Sequence, residues 1–133
     1  MRLWHQSLIP HLPRQQLLGQ HRECCALRGA GWGRKHSVVD YVFTYEPERL
    51  VAYHAVVMAE MKHRGYHPDP IWNNRNWRGK TIQEQNGWCS KLKCLYYYEN
   101  AIDGKMIYPE HNKEYLQECL DNLKEKGITI NYE

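Results

Sequence analysis

The sequence has little of what marks a membrane protein or a secreted protein. Its 133 residues contain no apolar run near the roughly 18 residues that cross a membrane, and its N-terminus lacks the apolar stretch of a secretory signal. The five cysteines are odd in number and show no CxxC spacing, which argues against a disulfide framework and a zinc ribbon. We therefore expect a cytoplasmic protein with reduced thiols and no contact with a membrane.

Signals for a metal or a nucleotide are equally scarce. The eight histidines show no metal-ligand spacing, and the glycine-rich stretch GAGWG lacks the lysine and hydroxyl side chains of a phosphate-binding loop. The sequence predicts neither a metal site nor a cofactor, and it disfavours nucleotide hydrolysis.

Apolar residues at helical spacing are present in three segments. Composition and length are ordinary for one soluble domain, which we place over residues 1–133. Residues 37–45 favour an extended connector over a short strand, 68–80 form an irregular loop rich in Pro, Asn and Gly, and 81–98 stay ambiguous. The predicted fold class is all-α, a single compact domain of about three main helices with long irregular loops. We expect these helices over residues 13–29, 46–65 and 109–127.

Positive charge is concentrated near the N-terminus. Residues 1–35 hold six Lys and Arg residues against one Glu, a net charge of +5, while the other 98 residues have a net charge of −2. A segregated basic segment favours contact with a polyanion, most commonly a nucleic acid, although a merely basic helix gives the same pattern. The basic residues of this segment that we predict to contact nucleic acid are Arg2, Arg22, Arg28, Arg34 and Lys35.

The aromatic residues are ten Tyr and five Trp against one Phe, which favours rings with a polar group at contact surfaces. In the loop WNNRNWRGK, two tryptophans alternate with three cations. Rings of this kind stack on unpaired bases while cations hold phosphates, but loop tryptophans also cap protein cores. The predicted contacts in this loop are Trp72, Arg75, Trp77, Arg78 and Lys80.

Two groups near the N-terminus have catalytic chemistry. An α-amine such as that of Met1 has an ordinary pKa of about 7.7–8.0, so a modest shift leaves it partly unprotonated and able to form a Schiff base. Glu23 follows Arg22 in the most basic part of the chain, where a carboxylate is either a catalytic acid or base or a surface ion-pair partner.

Four stretches resemble the phage-type endonuclease V family of pyrimidine-dimer DNA glycosylases. These are a basic residue behind the N-terminal amine, here Arg2, the stretch LPRQQLLGQHRE with its Arg22-Glu23 pair, the loop GAGWGRKH, and MAEMKHRGY. YPEHNKEYLQECLDN is similar more faintly to the last helix of that family. The resemblance covers roughly residues 1–67.

The resemblance implies an all-α enzyme without a metal that acts on double-stranded DNA with a lesion. The Met1 amine would attack the sugar C1′ at a damaged pyrimidine. Glu23 would protonate or stabilise the sugar and then abstract its 2′ proton for β-elimination. Arg2 and Arg22 would hold phosphates or a flipped-out nucleotide, and His36 falls on a histidine of the family.

The sequence also departs from the family pattern. Arg2 is a large residue that disfavours removal of Met1, one extra residue precedes Glu23, and Ala26 stands where the family has an arginine that Arg28 would replace. Two other functions remain open, a catalytically silent nucleic-acid-binding module and a domain whose Tyr and Trp surface binds another protein.

Overall fold

The computed structural model describes residues 2–30 and 40–131, and in these ranges the chain is helical with no β-strand. Four α-helices are present: α1 (Arg14–Ala30), α2 (Pro47–His63), α3 (Lys91–Ile102) and α4 (Lys113–Glu125). Short 3₁₀ helices cover Gln6–His11, Asp40–Thr44 and Pro70–Asn73. The prediction of an all-α single domain is confirmed.

Helix α2 is the centre of the fold, because it packs against both α1 and α3. It begins at Pro47, whose fixed φ suits the first helical position, and Glu48 lies in the first turn where a negative charge is favourable. The helix ends at His63, and Gly65 lies two residues beyond it. The φ of Gly65 is +86°, a backbone conformation that favours glycine. Leu50, Tyr53 and Val57 are fully buried on its inner face.

Helix α3 raises the number of main helices from the predicted three to four. Its start is fixed by the Ser90 side chain, which accepts a hydrogen bond from the Lys93 backbone N–H, and by Glu48 of α2, which accepts one from the Ser90 N–H. None of its residues is fully buried, and Leu92, Tyr96 and Ile102 are largely exposed. Its inner side is only partly buried against the core, so α3 has no stripe of fully buried residues.

Helix α4 begins at Lys113, after the predicted start. Asn112 caps it by accepting a hydrogen bond from the Tyr115 N–H, so residues 109–112 form a turn that buries His111. Cys119 and Leu123 are buried on one face, in agreement with the predicted register.

Of the predicted connectors, the irregular loop over residues 68–80 is confirmed, whereas the extended connector over residues 37–45 is wrong in its described part. The described part of the 37–45 segment forms a 3₁₀ helix, and residues 68–80 are irregular apart from the turn at Pro70–Asn73. All five cysteines are free thiols, three of them buried. No helix in the described ranges is long and apolar enough to cross a membrane.

Candidate active site

A cleft of about 370 Å³ lies where the N-terminal segment, α1 and the end of α4 meet. It contains one carboxylate, that of Glu23, together with the two cations Arg2 and Lys126. Its complete lining is Arg2, Trp4, Gln15, Gln16, Gly19, Gln20, Glu23, Asn122 and Lys126. The cleft therefore combines an acid with cations, which suits the binding and reaction of an anionic substrate.

Helix α1 contributes one wall of the cleft. Gln16, Gly19, Gln20 and Glu23 recur at spacings of three and four, so they share one side of the helix. Gly19 leaves the wall open, and the nearest atom that a Cβ there would meet is Nη2 of Arg22, at 3.7 Å. The predicted Arg22-Glu23 pair thus has its carboxylate in the cleft and its exposed guanidinium alongside.

Aromatic rings hold the two cations of the cleft. The Arg2 guanidinium lies 5.9 Å from the ring centroid of Trp4 and 5.9 Å from that of Tyr115, and its Nη1 is 4.0 Å from Oε1 of Glu118. Nζ of Lys126 lies 5.8 Å from the Trp4 centroid. Contacts of this kind order long cationic side chains that otherwise sample many rotamers.

Several polar atoms of the cleft residues are buried from solvent. Among them are Nη1 of Arg2, Oε1 of Glu23 and Oδ1 of Asn122, and the last of these has no hydrogen-bond partner among residues 2–30 and 40–131. A buried acceptor without a partner costs about 1–3 kcal/mol, and such atoms are usually satisfied by water or a ligand. Oδ1 of Asn122 is therefore an acceptor at the wall of the cleft that the described residues leave unsatisfied.

Four of the predicted site residues lie outside the described ranges. These are Met1, Arg34, Lys35 and His36. The expected hydrogen-bond reach between the Met1 amine and the Glu23 carboxylate consequently stays a prediction. Arg2, the residue bonded to Met1, does line the cleft with Glu23.

The predicted DNA contact of Arg28 does not fit its position, because its side chain is fully buried. Its guanidinium donates hydrogen bonds to the carbonyls of Trp72 (3.1 Å), Asn74 (2.7 Å) and Trp77 (2.8 Å), and it lies 5.0 Å from the Trp72 ring centroid. Burial lowers the pKa of Arg28 to about 10, so it stays charged at neutral pH. Arg28 holds the 72–77 loop against α1, and its burial keeps the guanidinium away from a phosphate at the surface.

The predicted contacts of the tryptophan loop lie on different surfaces. Trp72, Arg78 and Lys80 line a second cleft, of about 440 Å³, beside Cys25, Ala26 and Gly29 of α1. Arg75 lines a separate cavity between α2 and α3 and donates to the carbonyl of Cys89. Trp77 forms an isolated bridge with Glu84 and lines neither.

The loop lies close to α1 at Gly29, which gives a prediction on stability. A Cβ at this position would lie 2.8 Å from the backbone oxygen of Arg78, while Nε of Arg78 donates to the carbonyl of Arg28 at 2.8 Å. Because a backbone atom must shift, Gly29→Ala is expected to lower the free energy of unfolding by about 1–3 kcal/mol. Urea denaturation followed by tryptophan fluorescence measures this. Gly19→Ala, in the same helix with a 3.7 Å clearance, is the matched control and should be neutral or stabilising. An equal effect of both substitutions would contradict the prediction.

Among the described residues, His21, Cys25 and His54 form one group of metal-ligand types, with ligand atoms within 4.8 Å of one another. Nδ1 of His54 lies 3.1 Å from Nη1 of Arg28, which only donates, so this nitrogen accepts and the ring proton resides on Nε2. That proton points to Nδ1 of His21, 2.9 Å away. The donation from Arg28 thus keeps the ring proton of His54 on Nε2, the nitrogen that faces His21 and Cys25, so this nitrogen has no lone pair for a metal and the group does not fit a metal ion.

Sequence reasoning missed part of the cleft. Gln16, Gly19 and Gln20 could have been found by extending the helical register of Glu23 backwards along α1. Asn122 and Lys126 could not, because their place in the cleft depends on how the end of α4 docks on the N-terminal segment.

Comparison with known protein families identifies a match to the N-terminal half of the chain. A family model described as pyrimidine dimer DNA glycosylase matches residues 1–74, more than half of the chain, and this range includes Arg2, all of α1 with Glu23, and all of α2. Neither the curated proteins nor the solved structures include a match to the chain. Because the family model matches residues 1–74, the chain belongs to the pyrimidine dimer DNA glycosylase family.

Proposed function

We propose that the protein excises a damaged pyrimidine from double-stranded DNA and then cleaves the strand as an AP lyase, through a Schiff base on the amine of Met1. The observation that carries the proposal is the shared cleft of Arg2, the neighbour of Met1 in the chain, and Glu23. Membership of a glycosylase family supports the substrate class. The imine step is supported by general chemistry, because an unprotonated amine is a nucleophile that forms Schiff bases with aldehyde-like carbons.

The first half of the reaction exchanges one bond at the sugar for another. The unprotonated amine attacks C1′, the new N–C1′ bond forms, and the glycosidic bond breaks with its electron pair leaving on the pyrimidine. Glu23 stabilises the positive charge that develops on the sugar as a carboxylate, takes one proton from the attached ammonium and passes it to the ring oxygen, so the C1′–O4′ bond breaks and the sugar opens to a protonated imine. A buried carboxylate oxygen suits this role, since charge stabilisation is stronger away from water.

The second half breaks the DNA strand. The protonated imine acidifies the 2′ proton, Glu23 abstracts it, and the electron pair forms a C1′–C2′ enamine that eliminates the 3′ phosphate. Water then hydrolyses the imine and returns the free amine. Arg2, Arg22 and Lys126 hold flanking phosphates, and Asn122 bonds the sugar through its buried amide oxygen.

Helix α1 lies between the two clefts that we assign to DNA. Gly29 lies six positions after Glu23, which corresponds to about 9 Å along the helix axis and to about two to three nucleotides of a strand. The second cleft, with Trp72, Arg78 and Lys80, therefore contacts the strand beside the lesion. Stacking on Trp72 favours an unpaired base.

Borohydride trapping tests the proposal. Protein is mixed with duplex DNA that carries one abasic site, sodium borohydride is added, and the mass of the product is measured. A covalent adduct mapped to residue 1 is expected, with no adduct on undamaged duplex and none for a variant with an N-terminal extension. DNA binding that weakens steeply with salt, without an adduct or cleavage at a dimer, would instead establish the silent binding module.

A further inference from the structure

The first residues of the chain are held unusually firmly for a terminus. Chain ends commonly fray, yet Leu3 is fully buried and Trp4 is 6% exposed. Three consecutive carbonyls accept hydrogen bonds from side chains of three different helices. The donors are Gln20 of α1 to the Arg2 carbonyl, Tyr115 of α4 to the Leu3 carbonyl, and Tyr53 of α2 to the Trp4 carbonyl.

Gln20 makes the bond nearest the terminus, and its amide orientation is fixed by its neighbours. Nε2 donates to the Arg2 carbonyl at 3.0 Å, while Oε1 accepts from the Trp4 N–H at 2.7 Å and from the Tyr53 hydroxyl at 2.9 Å. A flipped amide would place two donors against each other at Trp4. Gln20 is 2% exposed, so these bonds are shielded from water.

The pattern of these two backbone bonds fixes the register of the segment. Residues 2–5 have no helical structure, and the carbonyl of one residue bonds the same side chain as the N–H two residues later. The side-chain amide of Gln20 thus bonds this segment in the way that a neighbouring β-strand would. A shift of the segment by one residue would turn the bonded carbonyl and the bonded N–H away from Gln20. The position of Arg2 along the cleft is therefore determined.

We propose that Gln20 is a positioning residue that sets where the terminal amine meets the sugar, an inference that rests on the proposed function. Covalent geometry keeps the amine of the residue before Arg2 within about 5 Å of the Arg2 Cα, so a fixed Arg2 carbonyl restricts the volume that the amine samples. Orientation of this kind matters because a misplacement of about 1 Å costs up to about 10²-fold in rate.

The substitution Gln20→Glu tests the role. A carboxylate still accepts from Trp4 and Tyr53 but cannot donate to the Arg2 carbonyl. Gln16→Glu is the matched control, because it adds the same charge to the same wall of the same cleft. In single-turnover borohydride trapping with saturating abasic-site DNA, Gln20→Glu is expected to react about 10–10²-fold slower than Gln16→Glu. The dissociation constants of the two variants for DNA should agree within about twofold.

A second pair of variants covers the case in which Gln20→Glu does not fold. Gln20→Met removes both backbone bonds without adding charge, and Gln16→Met is its control. Hydrogen exchange at the Trp4 amide, which needs no substrate, should be at least about tenfold faster in Gln20→Met than in the control. Slower trapping is expected as well.

The outcomes separate the inference from the proposed function. Equal trapping rates in each Gln20 variant and its Gln16 control, with an active parent, would overturn the positioning role and leave the glycosylase proposal intact. Failure of the parent to trap, with the expected exchange difference, would overturn the glycosylase mechanism and leave Gln20 as the residue that holds the N-terminus.

Discussion

Replacing Glu23 by glutamine is expected to slow strand cleavage at an abasic or pyrimidine-dimer site by about 10²–10⁴-fold, the usual loss for a general acid or base. Glutamine keeps the size and hydrogen-bonding capacity of the side chain but removes the charge that, in the proposed mechanism, stabilises the sugar cation and takes the 2′ proton. DNA affinity should persist or improve, because a negative charge in a cleft with Arg2 and Lys126 is lost.

Single-turnover cleavage of a labelled duplex measures the first effect, and fluorescence anisotropy at one fixed salt concentration measures the second. Glu114→Gln, which removes an exposed carboxylate from the first turn of α4, is the control for net charge and should cleave like the parent. Cleavage by Glu23→Gln at the parent rate would refute the mechanism and favour the silent binding module.

Acidification is expected to destabilise the fold through buried histidines. Burial, with a smaller effect of His5, lowers the pKa of His111 to about 3 from an unfolded value of 6.5. Burial likewise lowers the pKa of His54 well below its ordinary value, with Arg28 and His21 acting in the same direction. Nδ1 of His111 accepts a hydrogen bond from the Gln6 N–H at 3.1 Å. Protonation of Nδ1 would replace this bond with two N–H donors that face each other.

The sign of the effect follows from proton binding. Between pH 6.5 and about 3 the unfolded chain takes up a proton at His111 that the folded chain does not, so stability is complete above pH 6.5 and falls as the pH falls. At pH 5 this costs about 2 kcal/mol for His111, at 1.36 kcal/mol for each pH unit.

Urea unfolding at pH 7.5 and pH 5 measures this loss. His111→Gln cannot be protonated, so its stability, although lower at pH 7.5, should change with pH by about 2 kcal/mol less than that of the parent. His63→Gln removes an exposed histidine and should keep the pH dependence of the parent. A parent whose stability is the same at both pH values would contradict the role of the buried rings.

The sequence predicted the helices that bury an apolar stripe and missed the one that does not. Helices α1, α2 and α4 ended near the expected glycines because those positions stop a helix through local backbone preferences. Helix α3 depends on Glu48, which reaches Ser90 from another helix across 42 residues of sequence. No local pattern contains that contact.

The same distinction applies to the site. Arg2 and Glu23 were found because a motif near the terminus carries them, and the cleft contains both. Arg28 was misassigned because a count of charges does not distinguish an exposed arginine from one that three loop carbonyls, 44 to 49 residues later, draw into the interior. Gln20 gains its partners from the path of the N-terminal segment, which residue periodicity does not encode.

The N-terminal segment also has a consequence for synthesis of the protein on the ribosome. The backbone and side chain of Gln6 bond to residues Lys105, Ile107 and His111, at sequence separations of 99 to 105. At roughly 5–20 residues per second, translation delivers these partners about 5–20 s after Gln6 itself. Asn122 and Lys126, which complete the cleft, are made later still. Until α4 and Lys126 have been made, the nascent chain therefore carries Arg2 and Glu23 without the residues that complete the cleft. The proposed reaction with DNA is expected only after that point.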